Sequence, residues 1–161
     1  EPVRWVRPEG IHLTLKFLGE TPETQIPAIL SALRKVAVQT EGFQIELKGL
    51  GTFGRKHSPS VLWAGLGPSP ELVDLQQRVE KAMHAEGFPR EQRPFRPHIT
   101  LARMKYLAHP EKLAEWIAPY KQESFQHLCP AHFLLMESRL APGGAKYFTE
   151  GRFPFGAGQG G

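Results

Sequence analysis

The chain has 161 residues, 40% of them hydrophobic and 22% charged, with a net charge of +4. That length and balance fit one globular domain; no apolar run approaches the roughly 18 residues of a membrane helix, and no stretch reads as a signal peptide. The single cysteine, Cys129, excludes an intrachain disulfide and a multi-cysteine zinc site, and it points to a reducing cytoplasmic setting.

Residues 1–10 hold two prolines and read as a leading loop or an edge segment. His12 to Leu18 alternates and predicts a strand. Thr21-Pro22-Glu23 has the order of a helix start: a cap, a proline in the first turn, then an acid. Ile26, Ile29, Leu30, Leu33 and Val36 follow at helical spacing, with Pro27 expected to displace or kink the start. Phe43–Leu47 and Val61–Leu66 predict two strands. Between them Gly49-Leu50-Gly51-Thr52-Phe53-Gly54 is formally G-x-G-x-x-G. A dinucleotide site needs a helix opening at those glycines, and here another strand follows, so the stretch reads as a hairpin loop.

Ser69-Pro70-Glu71 repeats the helix-start pattern. Leu72, Leu75, Val79 and Met83 form its buried stripe, and Gly87 is the stop. A basic segment comes next: Arg90, Arg93, Arg96, Arg103 and Lys105 stand against Glu91 alone. It brackets the predicted strand Phe95–Arg103. Pro110-Glu111 opens a third helix, with Leu113, Trp116, Ile117 and Tyr120 expected inward. Phe133–Leu140 and Tyr147–Phe155 predict a hairpin turning at Pro142-Gly143-Gly144. The Gly-rich end, 156–161, is expected to be disordered.

One pattern occurs twice. Ile11-His12-Leu13-Thr14-Leu15 and Pro97-His98-Ile99-Thr100-Leu101 each carry His-x-Thr in an apolar strand. A period of two puts His and Thr on one face and the aliphatic neighbours on the other. Each copy precedes a Pro-Glu helix start and then a pair of strands. This weak repeat predicts an α+β fold: a bilobal, pseudo-symmetric duplication with two antiparallel sheets facing a central groove and helices outside. Equivalent residues would then meet at the axis, with His12 and His98 on either side of one ligand.

Imidazole has an ordinary pKa near 6.5 and serves as acid or base near neutrality. Two imidazoles flanking a phosphorus suit in-line attack on a cyclic phosphodiester. Thr14 and Thr100 can then donate to its non-bridging oxygens, and an arginine can stabilise its charge. The scheme calls for no metal and no other cofactor. Two-metal phosphoesterases need several carboxylates, and the chain has a single aspartate, Asp74, in a predicted helix. No G-x-S-x-G elbow and no P-loop is present. A lone strand histidine is usually structural, so the weight lies on the duplication. His57, His84, His109, His127 and His132 lack this context and read as surface or structural. Trp63 and Trp116 read as core.

At these motifs the sequence resembles the two-histidine (2H) phosphoesterase superfamily, and within it the RNA 2',3'-cyclic phosphodiesterases, historically called 2'-5' RNA ligases. His12-Leu13-Thr14-Leu15 and His98-Ile99-Thr100-Leu101 match the two H-x-T-x motifs. Lys16-Phe17-Leu18-Gly19, Val61-Leu62-Trp63-Ala64-Gly65, Arg96-Pro97 and Arg103 match around them. Ser138-Arg139-Leu140 with Gly143 and Tyr147 resembles the C-terminal hairpin. The resemblance implies one bilobal domain over 1–155. It implies His12 as proton donor to the leaving 3' oxygen, His98 as proton acceptor from water, and Arg103 on the phosphate. The implied substrate is RNA with a 2',3'-cyclic phosphate end, tRNA fragments included, opened to a 2'-phosphate. The reverse use of the site joins tRNA halves by a 2'-5' linkage. A monomer with no membrane partner is expected.

Two departures stand out. Family members carry a strand and a helix ahead of the first motif, where this sequence has eleven residues, so an N-terminal truncation is expected. Strict alternation also puts Arg103 on the face opposite His98, unless the strand bulges near Ala102. The competing readings are a 2H hydrolase of another cyclic nucleotide phosphate and a non-catalytic RNA-end-binding module.

Overall fold

The computed structural model describes residues 3–156. The fold is α+β, with two antiparallel sheets in two compact units. The Gly-rich end expected to be disordered lies, from residue 157 on, outside the described residues.

The first unit comprises residues 3–14, Ile45–Ser69 and Phe95–Leu128. It holds strands β1 (Val3–Trp5), β2 (Ile45–Arg55), β3 (Ser58–Leu66), β4 (His98–Met104) and β5 (Ser124–Leu128), in the order β1-β4-β3-β2-β5. The predicted G-x-G-x-x-G loop is part of strand β2, which runs on to Arg55 before the turn into β3. Its glycines serve the sheet. Register shifts fall between Leu47 and Leu50 and between Phe53 and Gly54, and a side chain at Gly51 would run into the Trp63 ring. A glycine inside a strand commonly marks such a bulge or close approach.

One face of this sheet is covered by α3 (Pro110–Ile117). Leu62, Ala102, Met104 and Ile117 form its buried centre, with Val3, Leu50, Leu101, Leu107 and Leu113 packed around them. An eight-residue helix on a sheet offers one stripe, here Leu113 and Ile117 at i and i+4. Trp116, expected in the core, is therefore 54% exposed and lies beside Tyr120, itself 38% exposed.

The second unit comprises Leu15–Gln44, Pro70–Pro94 and residues 129–156. Helices α1 (Ile26–Val38) and α2 (Pro70–Ala85) pack on each other and on the hairpin β6 (His132–Ala141) and β7 (Gly144–Pro154). Phe153, Ile29, Leu75 and Met83 are the largest fully buried side chains; each contributes about 1.5–3 kcal/mol by leaving water. The first helix starts later than Thr21 suggests. The Thr21 hydroxyl donates to the Gly19 carbonyl, Glu23–Gln25 forms a 3-10 turn, and α1 opens at Ile26 with Pro27 in its first turn. That is where a residue without an N–H is tolerated. At the end of α2, Gly87 takes φ +98° while Phe88 N–H donates to the Met83 carbonyl, a left-handed stop.

A buried ion pair joins the segment after the first motif to α2. Lys16 Nζ lies 2.8 Å from Glu80 Oε1, with the two side chains only 5% and 11% exposed. Lys16 Nζ also donates to the Pro89 carbonyl at 3.0 Å, and Glu80 Oε2 accepts from the Glu91 N–H at 3.3 Å. The pair thus fixes the root of the basic segment.

Candidate active site

All five residues singled out from the sequence lie in the first unit, on the sheet face opposite α3. The first motif is not the strand that its alternation predicts. It makes an isolated antiparallel bridge, Leu13 with Ile99, at the edge of β4. Carrying that register one residue to each side sets His12 opposite Thr100 and Thr14 opposite His98. The result is a square with the histidines on one diagonal and the threonines on the other. Diagonal neighbours across an antiparallel pair are roughly 7–8 Å apart, room for a phosphate between two imidazoles. A local two-fold through the Leu13–Ile99 pair exchanges the motifs, so equivalent residues meet at an axis, as neighbours in one sheet. His12 and Thr14 are exposed, His98 and Thr100 half-buried.

Both imidazoles are held the same way. His12 Nδ1 lies 2.6 Å from the Gly10 carbonyl, and His98 Nδ1 lies 2.7 Å from the Arg96 carbonyl. A carbonyl only accepts, so each Nδ1 carries the proton and donates it, and chemistry falls to Nε2. Local sequence supplies each carbonyl. Gly10 closes a 3-10 turn that Pro8 opens, and Pro97 keeps Arg96 extended ahead of β4.

Arg103 joins this face through a bulge. Leu62 pairs with Ala102, but Trp63 pairs with Thr100, so Leu101 is an extra residue in β4. The insertion resets the alternation. Ile99, Ala102 and Met104 are buried on the α3 side, while His98, Thr100 and Arg103 lie opposite Gly65, Trp63 and Val61 on the other face.

The same face carries Phe53. Its ring meets His98 edge-on at 4.9 Å and Trp63 at 5.3 Å. Trp63 is half-buried here, lying over Gly51. An aromatic immediately before the bulge at Gly54, in a strand next but one to the motif, carries no signal in linear sequence.

The remaining histidines have other partners or places: His84 at the Phe88 carbonyl, His109 at Glu111, His127 at Glu46, His57 in the β2–β3 turn, and His132 on β6. In the basic segment Glu91 accepts from the Arg93 backbone N–H and its guanidinium, which hold the carboxyl below its ordinary range. Among the described residues no group of three or more His, Cys, Asp or Glu converges as a metal site, and no helix is long and apolar enough to cross a membrane.

A family model described as the 2'-5' RNA ligase superfamily matches residues 5–137, and the chain belongs to that superfamily. Its relatives include two named RNA 2',3'-cyclic phosphodiesterase. The one from Archaeoglobus fulgidus is 36% identical over 145 residues, 90% of this chain and 80% of that protein. The one from Geobacillus stearothermophilus is 39% identical over 99 residues, 62% of this chain but only 32% of that longer protein. Among solved structures, E. coli LigT complexed with 3'-AMP superposes with a TM-score of 0.75 at 26% identity, covering 96% of this chain and 82% of that one.

Proposed function

We propose that the chain is a phosphodiesterase that opens RNA 2',3'-cyclic phosphate ends to 2'-phosphates by acid–base catalysis. The observation that carries this reading is the His–Thr square around Leu13 and Ile99, with both imidazoles in one tautomer. The names of the relatives support the substrate class.

In the proposed step, His98 Nε2 takes a proton from water as the oxygen bonds to phosphorus. The P–O3' bond breaks on the opposite side. His12, protonated at both nitrogens, gives its Nε2 proton to O3'. Each Nδ1–H keeps its carbonyl, so neither ring rotates. Thr14 and Thr100 donate to the non-bridging oxygens, and Arg103 offsets the charge gathering there; one such donor is worth about 3 kcal/mol in the transition state. A 5'-hydroxyl in the place of water gives a 2'-5' linkage through the same proton transfers. We place this activity in the cytoplasm, carried by a monomer, on RNA ends such as those of cleaved tRNA.

Phosphorus NMR of a short RNA with a terminal 2',3'-cyclic phosphate, incubated with the protein in EDTA, tests the reading. The expected product is a 2'-phosphate. A 3'-phosphate would reverse the roles of His12 and His98. A persistent cyclic signal with folded protein would overturn the assignment, and turnover of a small cyclic nucleotide in its place would move the substrate class.

A further inference from the structure

The square of histidines and threonines has a local two-fold, so by itself it does not say from which side the RNA chain arrives. The end of this face that carries Arg103 breaks that symmetry. Arg4, in β1, pairs directly with Arg103 in β4. Val3 and Trp5 pair with Met104 and Ala102 and so belong to the α3 side, which leaves Arg4 on the face of His98, Thr100 and Arg103. Arg4 and Arg103 are both exposed. Directly opposed like charges weaken a strand pair. Strand β1 also adds little core, since Val3 is only half-buried and Trp5 is 62% exposed. A pair of arginines with Cβ atoms roughly 4.5–5.5 Å apart is suited to oxyanions on neighbouring groups.

The direction follows from the proposed step. Water attacks from the His98 side, so O3' and its ribose lie toward His12. The row containing His12 and Thr100 is the one next to the row of Arg103 and Arg4. The nucleotide preceding the terminal ribose is therefore led over the two arginines. Resting on the phosphodiesterase reading, we propose that Arg4 binds the phosphodiester one nucleotide upstream of the cyclic phosphate, and so favours RNA ends over mononucleotides.

The test compares a 2',3'-cyclic mononucleotide with a dinucleotide that carries one internal phosphodiester and the same cyclic end. In Arg4→Gln the ratio of dinucleotide to mononucleotide kcat/KM is expected to fall roughly tenfold, mostly through KM. The log–log salt slope for the dinucleotide should become shallower, because one screened charge pair is lost. Arg4→Lys should restore that slope, because it keeps the charge. A ratio unchanged in Arg4→Gln overturns the proposal whatever the absolute rates, because loss of folded protein cancels in the ratio. Wild-type protein inactive on both substrates would instead remove the phosphodiesterase reading, and this inference with it.

Discussion

Replacing Lys16 by Ala should destabilise the fold. Lys16 is 5% exposed, and its ammonium sits between Glu80 and the Pro89 carbonyl. Truncation leaves the Glu80 carboxylate 11% exposed with its cation gone and only the Glu91 N–H to satisfy it. Breaking one side of such a pair costs about 3–5 kcal/mol, against a total stability of about 5–15 kcal/mol for a domain. For a chain of this size, at about 2–4 °C per kcal/mol, the melting temperature should fall by about 6–20 °C. Urea denaturation followed by tryptophan fluorescence and circular dichroism measures the loss directly. The double variant Lys16→Met, Glu80→Leu should regain most of it, because no unpaired charge then stays buried. Losses below about 1 kcal/mol in the single variant, the size expected of an exposed pair, would refute the reasoning.

Three further outcomes are expected at the site. His12→Ala and His98→Ala should each lower kcat by about 10²–10⁴ with the fold intact; the wild-type pH–rate profile should be bell-shaped, and comparable turnover in either variant would remove the acid–base pair. Phe53→Leu should lower kcat about 2- to 10-fold at constant KM, by freeing the His98 ring from a contact worth about 0.5–1.5 kcal/mol; steady-state kinetics on the mononucleotide reads this, and an unchanged kcat counts against a positioning role. Gly51→Ala should cost about 1–3 kcal/mol in urea denaturation because its methyl meets the Trp63 ring; Trp63→Leu in the same chain should recover part of that loss.

What could be read from the sequence was whatever burial imprints as a period. The stripe Ile29, Leu33, Val36 of α1 and the hairpin β6–β7 each bury one face and so announced themselves, and the stop at Gly87 showed as the glycine its left-handed turn requires. Strands β1 and β5 did not. Every residue of β5 but Leu128 is exposed, and β1 half-buries only Val3. Their place comes from backbone pairing with β4 and β2 at the sheet edges, which leaves no hydrophobic alternation. The first motif failed in the opposite sense: its alternation is real, yet it forms one bridge, because beyond Thr14 the chain leaves the sheet and Lys16 turns to Glu80. For Arg103 the sequence posed the question, and only the pairing of Leu62 and Trp63 with Ala102 and Thr100 locates the extra residue at Leu101. Phe53 needed the three-dimensional sheet, since strand β3 lies between its strand and that of His98.

The bonds that the two Nδ1–H groups donate to the Gly10 and Arg96 carbonyls hold both rings in place through the proposed cycle. Under the proposed mechanism a turnover leaves His98 with both protons and His12 with one. Under the local two-fold this is the starting arrangement with its labels exchanged. On releasing product the site does not stand in its resting form but in the two-fold image of it. Resetting then requires one proton to leave His98 and another to reach His12, by way of solvent, with no change in either ring's orientation. A site built this way keeps its geometry constant through the cycle and stores its memory of the last reaction only in where a proton sits.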